Sequence, residues 1–117
     1  MPERDLKLRT KQFALRVIRL FRSLPRSIDA QVIAKQILRS GTSVGAQYRE
    51  ACRARSSAEF VSKVESALQE LDETAYWLEL LVEAEFVEPE KLEDLQRETN
   101  ELTAILVASV RTAKGKR

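Results

Sequence analysis

The fold is decided by residues 37–51, whose sequence is ILRSGTSVGAQYREA. Two glycines here, Gly41 and Gly45, weaken a helix by roughly 1 kcal/mol each relative to alanine. Apolar and small residues nevertheless recur in steps of three and four, as on one face of a helix. The positions that keep this phase are Ala30, Ile33, Ile37, Gly41, Val44, Tyr48 and Ala51. We therefore predict one unbroken helix over residues 28–54, in which the glycines allow another backbone to approach closely.

A phosphate-binding loop is the competing interpretation of the same glycines. Such a loop requires the spacing G-x-x-x-x-G-K-[ST] after a strand, and neither the spacing nor a strand pattern is present. The sequence therefore favours helix packing over ligand binding at Gly41 and Gly45.

Three further helices follow from the same periodicity. Helix 1 is predicted over residues 5–24 and is followed by Pro25, with Ser27 placed to cap the next helix. Helix 3 is predicted over 57–84, because Ser56 and Glu59 form a capping-box pattern. Helix 4 is predicted to start at Pro89, a residue favoured in a first turn, and to end near 113. The predicted core residues of helix 3 are Val61, Val64, Leu68, Leu71, Ala75, Leu78 and Val82.

Four long helices with short connections predict an all-α fold, an antiparallel up-down-up-down four-helix bundle. A length of 117 residues fits a single domain over 1–117. The basic residues at the chain end predict a frayed tail over 111–117.

The charge of the chain is divided between its halves. Residues 1–55 contain 13 Lys/Arg and 4 Asp/Glu, whereas residues 56–117 contain 7 Lys/Arg and 14 Asp/Glu. The first half therefore carries +9 and the second −7, although the total is only +2. Such asymmetry indicates either a polyanionic partner for the basic half or a self-complementary assembly.

The basic residues of helices 1 and 2 are the candidate nucleic-acid-binding residues. They are Arg9, Arg16, Arg19, Arg22, Arg26, Lys35, Arg39, Arg49, Arg53 and Arg55. Arginine predominates, which favours bidentate phosphate contacts and stacking on bases. The alternatives are a solvated helix face, or pairing with the acidic helices 3 and 4 of the same or a neighbouring chain. Three functions therefore stay open: RNA or DNA binding, assembly alone, and an adaptor for a protein partner.

The end of helix 3 is apolar nearly all round. Tyr76, Trp77, Leu80 and Leu81 lie off the predicted core stripe, and a helix of this kind is buried on more than one side. Either Phe86 and Val87 fold back over it, or it forms a subunit interface. We favour the interface and expect a homo-oligomer.

Two long motifs carry a resemblance to a known family. The stretch RSGTSVGAQYREA at residues 39–51 and the stretch ELDETAYWLELL at residues 70–81 resemble two signatures of the proteins encoded in intervening sequences of bacterial 23S rRNA genes. The stretch LFRSLP at residues 20–25 matches the end of that family's first helix. The resemblance covers about residues 13–85, most of the chain. Gln47 stands where the family usually has Asn and Gln69 where Lys is common, and neither change threatens the fold.

The resemblance implies an antiparallel four-helix bundle that assembles into a ring-like homopentamer, with no established biochemical activity. Some members are found outside rRNA genes. A distantly similar bundle is an accessory protein of the reverse transcriptase of diversity-generating retroelements, and is proposed to bind nucleic acid through a basic surface. A protein partner such as a reverse transcriptase is therefore the alternative that the resemblance adds.

Several classes of function are disfavoured by composition. The chain has no histidine, the commonest general acid–base, and its paired carboxylates fit solvated helix faces. Its one cysteine, Cys52, has neither a disulfide partner nor a histidine with which to share a metal. We expect a non-enzyme without metal or cofactor. With no signal-peptide pattern and no apolar run of about 20 residues, we expect a cytoplasmic location.

Overall fold

The structure, a computed structural model, describes residues 3–115 and folds them into four α-helices, with no strand among these residues. Helix α1 spans Glu3–Ser23 and α2 spans Ile28–Cys52. Helix α3 spans Ser57–Glu83 and α4 spans Pro89–Gly115. The predicted all-α class and the four helices are confirmed, and α2 continues unbroken through both internal glycines.

Contacts between successive helices establish their directions. Gly41 lies against Val17 and Gly45 against Thr10, so residue numbers rise along α1 as they fall along α2. The same opposition holds between α2 and α3, where Ser40 meets Thr74 and Glu50 meets Lys63. Helices α1 and α2 are therefore antiparallel, and so are α2 and α3.

The fourth helix completes the up-down-up-down order. Lys114 near the end of α4 pairs with Glu65 near the start of α3. Arg9 near the start of α1 pairs with Glu98 in the middle of α4. Each helix touches its two neighbours around the bundle, and the contact between α1 and α4 is much the sparsest.

The glycines of α2 determine how closely α1 packs. A Cβ on Gly41 would lie 2.7 Å from Cγ2 and 2.9 Å from Cγ1 of Val17, closer than atoms tolerate. A Cβ on Gly45 would lie 3.1 Å from Oγ1 of Thr10. Thr10 is fully buried, and its hydroxyl donates to the carbonyl of Leu6 at 2.8 Å. The packing role of the glycines is therefore confirmed.

A pair of hydroxyl groups crosses the core between α2 and α3. Oγ of Ser40 and Oγ1 of Thr74 lie 2.8 Å apart, and both residues are fully buried. Since the Thr74 hydroxyl donates its single proton to the carbonyl of Glu70 at 2.8 Å, the Ser40 hydroxyl is the donor in the pair. Both buried polar groups are thereby satisfied.

Helix α3 is capped at both ends. Oγ of Ser56 accepts from the backbone N–H of Glu59 at 3.0 Å, as the capping-box pattern predicts. At the other end Glu85 has φ 65°, while the N–H of Phe86 donates to the carbonyl of Leu81 and that of Glu85 to Val82. This is a Schellman motif, and it turns Phe86 and Val87 back onto the core.

Three predictions need correction. Ser27 occupies the cap position of α2, but its side chain makes no capping hydrogen bond. Helix α4 continues through Gly115, two residues beyond its predicted end, so residues 111–115 of the predicted tail are helical; residues 116 and 117 lie outside the described residues. The stripe that α3 buries also differs from the predicted one, because α3 packs against both α2 and α4. Its buried residues are Val64, Ala67, Leu71, Thr74, Leu78 and Leu81.

Candidate nucleic-acid interface

Arg9, the first candidate, is committed to an intramolecular cluster with α4. Its Nε lies 2.7 Å from Oε2 of Glu98, and its Nη2 lies 2.8 Å from Oε1 of the same carboxylate. The Nη2 atom also lies 2.6 Å from Oε1 of Glu101. The hydrogen bond with Glu98 is the main cause that raises the pKa of the Arg9 guanidinium above its usual value. We call these three side chains the α1–α4 clasp.

Arg39 is likewise occupied, on the opposite side of the bundle. Its Nη1 lies 3.3 Å from Oε1 of Glu70, and its Nη2 contacts Oε1 of Glu73. Two of the ten candidate residues therefore neutralise acidic helices of their own chain, as the pairing alternative anticipates.

The other eight candidates take part in no direct ion pair among residues 3–115. Arg16 is half-buried, and the remaining seven are exposed. The antiparallel fold divides the eight into two groups. The α1-turn cluster, near the connection between α1 and α2, comprises Arg16, Arg19, Arg22, Arg26 and Lys35. The α2-end cluster, at the far end of α2, comprises Arg49, Arg53 and Arg55.

The two clusters are far apart and differ in their surroundings. Lys35 and Arg53 are separated by about 27 Å along the helix axis, at 1.5 Å per residue. Acidic groups lie beside the α2-end cluster: Glu50 is exposed next to Arg49, and the Glu59 carboxylate accepts from the backbone N–H of Arg55 at 2.9 Å. The hydrogen bond with Lys63 lowers the pKa of Glu50, and the charge of Arg53 adds to the effect. The α2-end cluster therefore has two acidic neighbours, of which Glu50 is itself paired with Lys63 at 2.7 Å.

An open groove separates α1 from α4 beyond the clasp. Its volume is about 400 Å³. Arg16, Arg19 and Lys91 stand along its sides, together with Asp94 and Ser23. The apolar lining residues are Leu20, Val87, Leu92 and Leu95. The groove thus combines an apolar floor with three cationic side chains.

Lys91 is the residue that sequence reasoning missed in this region. It lies in the acidic half of the chain, in the first turns of a helix rich in Glu, so charge counting gave no reason to select it. Only the antiparallel pairing of α1 with α4 brings it to Arg16 and Arg19. The available signal was its spacing, since Lys91, Asp94 and Glu98 share one helix face at steps of three and four.

The predicted interface residues of α3 fall into two groups. Tyr76 is 54% exposed and Leu80 is half-buried. Trp77 is half-buried, and its Nε1 is buried without a hydrogen-bond partner among residues 3–115. Its ring packs edge-on against that of Tyr76, with 5.1 Å between the ring centroids. Leu81 is fully buried in the core of its own chain and offers no surface to a partner. Its assignment to an interface is therefore wrong, because α3 buries the stripe that contains Thr74, Leu78 and Leu81.

Two further features bear on the class of protein. No helix in the described range 3–115 is sufficiently long and apolar to cross a membrane. Within the same range, no cluster of three or more His, Cys, Asp or Glu side chains is arranged to hold a metal ion.

The fold and the surface define a small antiparallel four-helix bundle whose basic cluster at one end of α1 has no direct ion pair among residues 3–115. The profile of the family described as 23S rRNA-intervening sequence protein matches residues 4–108. The chain belongs to this family.

A solved structure supports the assignment. The chain is similar to a crystal structure, at 1.70 Å resolution, of a protein of unknown function from the S23 ribosomal protein family of Bacteroides thetaiotaomicron. The two share 39% sequence identity with a TM-score of 0.89, over 96% of this chain and 100% of the other. A comparison with curated proteins found no significant match.

Proposed function

We propose that this protein is a non-enzymatic, oligomeric bundle of the cytoplasm that binds RNA or DNA through the α1-turn cluster. The observation that carries the proposal is the absence of direct ion-pair partners for these five cations among residues 3–115. On the same two helices Arg9 and Arg39 are neutralised internally, and the α2-end cluster, which also has no direct ion pair among residues 3–115, contains only three cations. Unmatched positive charge of this kind favours a polyanion.

Phosphate binding by such a surface needs no sequence motif. Lysine and arginine that neutralise phosphates release condensed counterions, and this release supplies most of the affinity of non-specific binding. Four of the five cations are arginines, whose guanidinium groups can form bidentate hydrogen bonds with phosphate. We therefore expect binding that tolerates many sequences and weakens steeply with salt.

The test is a fluorescence-anisotropy titration against a structured RNA and a random-sequence duplex at several salt concentrations. If about six phosphates are contacted, affinity falls roughly a thousand-fold between about 50 and 200 mM salt. Changing Arg16, Arg19 and Arg22 to Gln in one variant should reduce the slope of log affinity against log salt by about 0.9 per lost duplex contact. Circular dichroism should show an unchanged helical signal.

The α2-end cluster supplies a control of equal charge. Changing Arg49, Arg53 and Arg55 to Gln also removes three positive charges, but from the other end of the bundle. This variant should keep most of the slope, because the α2-end cluster lies at the other end of the bundle from the proposed binding surface. Equal losses in the two variants would show that net charge alone matters, and no binding at low salt would reject the proposal.

The proposal includes self-assembly. An exposed Tyr76, a half-buried Leu80 and a half-buried Trp77 that packs edge-on against Tyr76 support a subunit contact on this side of α3. A neighbouring subunit would cover this apolar surface. By the family resemblance we expect a homopentamer. Sedimentation of a species of about 13.4 kDa, the mass of one chain, at micromolar concentration would contradict this part of the proposal.

One observation favours an alternative, a self-assembling structural or adaptor protein that binds a protein partner and no nucleic acid. Ile28 is 87% exposed and Val32 is 58% exposed on α2, next to the α1-turn cluster. If the triple replacement of Arg16, Arg19 and Arg22 disrupts the oligomer and nucleic acid does not bind at low salt, the basic half serves assembly.

A further inference from the structure

Two parts of the interface between α1 and α4 differ in charge. The groove brings positively charged side chains together, whereas the clasp beside it pairs a positive side chain with negative ones. At the clasp, Arg9 faces the carboxylates of Glu98 and Glu101. Further along α1, Arg16 and Arg19 share the groove with Lys91 of α4. Like charges in one groove repel each other, and an anion bound between them removes that repulsion.

The one carboxylate in the groove does not balance these cations. Asp94 lines the groove, but its Oδ1 lies 2.6 Å from Nη1 of Arg97, with which it forms an ion pair on α4. Three cations therefore surround the groove with a single acid that is already paired. The groove has the electrostatics of an anion site.

The floor adds a second requirement for the ligand. The buried Leu92 and Leu95 lie beneath the groove, and the half-buried Leu20 and Val87 present the apolar surface that remains accessible between the cations. A simple inorganic anion would leave the accessible part of Leu20 and Val87 in contact with water. A ligand that has a flat apolar part as well as negative charge covers the floor and neutralises the sides. The volume of about 400 Å³ lies within the usual range of small-ligand sites.

We propose that this groove holds one unpaired nucleotide of a bound single strand, with its base on the floor and its flanking phosphates on Arg16, Arg19 and Lys91. This inference rests on the proposed function and makes it more specific, because a base paired within a duplex cannot reach the floor. The protein then prefers single-stranded over double-stranded nucleic acid. The preference depends on Lys91, a residue outside the basic half of the chain.

The experiment compares an oligouridylate of about 12 nucleotides, a length within the usual single-strand site sizes, with an RNA duplex of the same length. Binding is measured by fluorescence anisotropy at one fixed salt concentration. The wild-type protein should bind the single strand at least about fivefold more tightly, a factor at the lower end of what one bound base contributes. Equal affinity for both probes would overturn the inference while leaving the proposed function intact.

Lys91→Gln and Lys35→Gln form a matched pair of variants, since each removes one exposed lysine. Lys91→Gln should abolish most of the single-strand preference, whereas Lys35→Gln should weaken both probes to a similar degree. Leu20→Trp, which fills the floor without changing charge, should lower single-strand binding and leave the duplex salt slope unchanged. If Lys91→Gln behaves like Lys35→Gln, the groove does not hold a nucleotide.

Two remaining outcomes also decide the matter. No binding of either probe by the wild-type protein would overturn this inference together with the proposed function. If Lys91→Gln changes the sedimentation of the protein without changing single-strand affinity, the groove is a contact between subunits and the inference fails.

Discussion

Helix α1 meets its two neighbours in opposite ways. Against α2 it packs on glycines, so that Val17 and Thr10 lie almost on the backbone of the neighbouring helix. Against α4 it is held at one level by the clasp, and beyond that level it leaves an open groove. The same helix thus takes part in the tight contact and in the sparsest contact of the bundle.

The difference shows what residue size and charge do at a helix interface. Glycines in α2 remove the side chains that would hold the backbones apart, so the two helices meet closely and leave a groove of about 250 Å³ beside Gly45, smaller than the groove of about 400 Å³ between α1 and α4. Between α1 and α4 the facing positions carry leucines and long charged side chains, which keep the backbones apart. The close packing that stabilises the bundle therefore lies on the α1–α2 side, and the larger groove, with its three cationic side chains, lies on the α1–α4 side.

Gly41→Ala should have the largest effect, because it disrupts the close packing between α1 and α2. Val17 is β-branched and fully buried, so it cannot turn away from the added methyl group. Overpacking costs about 1–3 kcal/mol, and the gain in helix propensity, about 1 kcal/mol, offsets only part of it. We expect a net loss of up to about 2 kcal/mol in the free energy of unfolding, measured by urea denaturation.

A second variant isolates the cause of that loss. In a Val17→Ala background the space beside residue 41 is open, so Gly41→Ala should be neutral or stabilising there. An equal loss in both backgrounds would mean that the glycine is needed for some reason other than its contact with Val17.

Glu98→Gln, a change in the α1–α4 clasp, should have an intermediate effect on the free energy of unfolding. The side chains of Arg9 and Glu98 are 26% and 16% exposed and meet in a two-pronged ion pair, so the pair is worth more than a fully exposed one. We expect a loss of about 1 kcal/mol, relative to about 0–1 kcal/mol for exposed pairs. Thermal and urea unfolding measure it.

Glu79→Gln is the control for that change, since Glu79 is exposed on α3 and has no ion pair among the described residues. It should change stability by less than about 0.5 kcal/mol. In Glu98→Gln, Arg9 also becomes less compensated, so affinity for nucleic acid should rise while stability falls. A stability loss no greater than that of Glu79→Gln would show that the clasp contributes little.

Gly45→Ala should have the smallest effect. It tests whether the packing between α1 and α2 is less close at Gly45 than at Gly41. The added Cβ would lie 3.1 Å from Oγ1 and 3.4 Å from Cβ of Thr10, so a shift of a few tenths of an ångström accommodates it. The propensity gain of about 1 kcal/mol then nearly cancels the cost. We expect a net change below about 1 kcal/mol by urea denaturation. A loss larger than that of Gly41→Ala would contradict the order of closeness.

Several features of the fold were predictable because they are local. The periodicity of apolar residues predicted α2 through its glycines, and the capping pattern at Ser56 and Glu59 predicted the start of α3. The predicted helix ends differ from the observed ones by at most two residues. Leu81 was assigned wrongly because a period of 3.6 leaves the centre of a wide apolar stripe ambiguous when two neighbours cover the helix.

The candidate site was predictable only in part. Counting charge selected ten basic residues, and the structure leaves eight of them without direct ion pairs within residues 3–115. Charge counting did not reveal that Arg9 and Arg39 face acids of other helices. Nor did it reveal that the remaining cations form two clusters, or that Lys91 joins one of them.

The sequence by itself determined the helices, their order and the division of charge, because helix propensity, capping and periodicity act over a few residues. Only the tertiary structure decided which charges meet. Arg9 and Glu98 are 89 residues apart in the chain and 2.7 Å apart in space, and Arg16 and Lys91 line one groove. Whether a cation is neutralised or left for a partner depends on the register between helices. That register follows from how glycines and side chains fill the space between them.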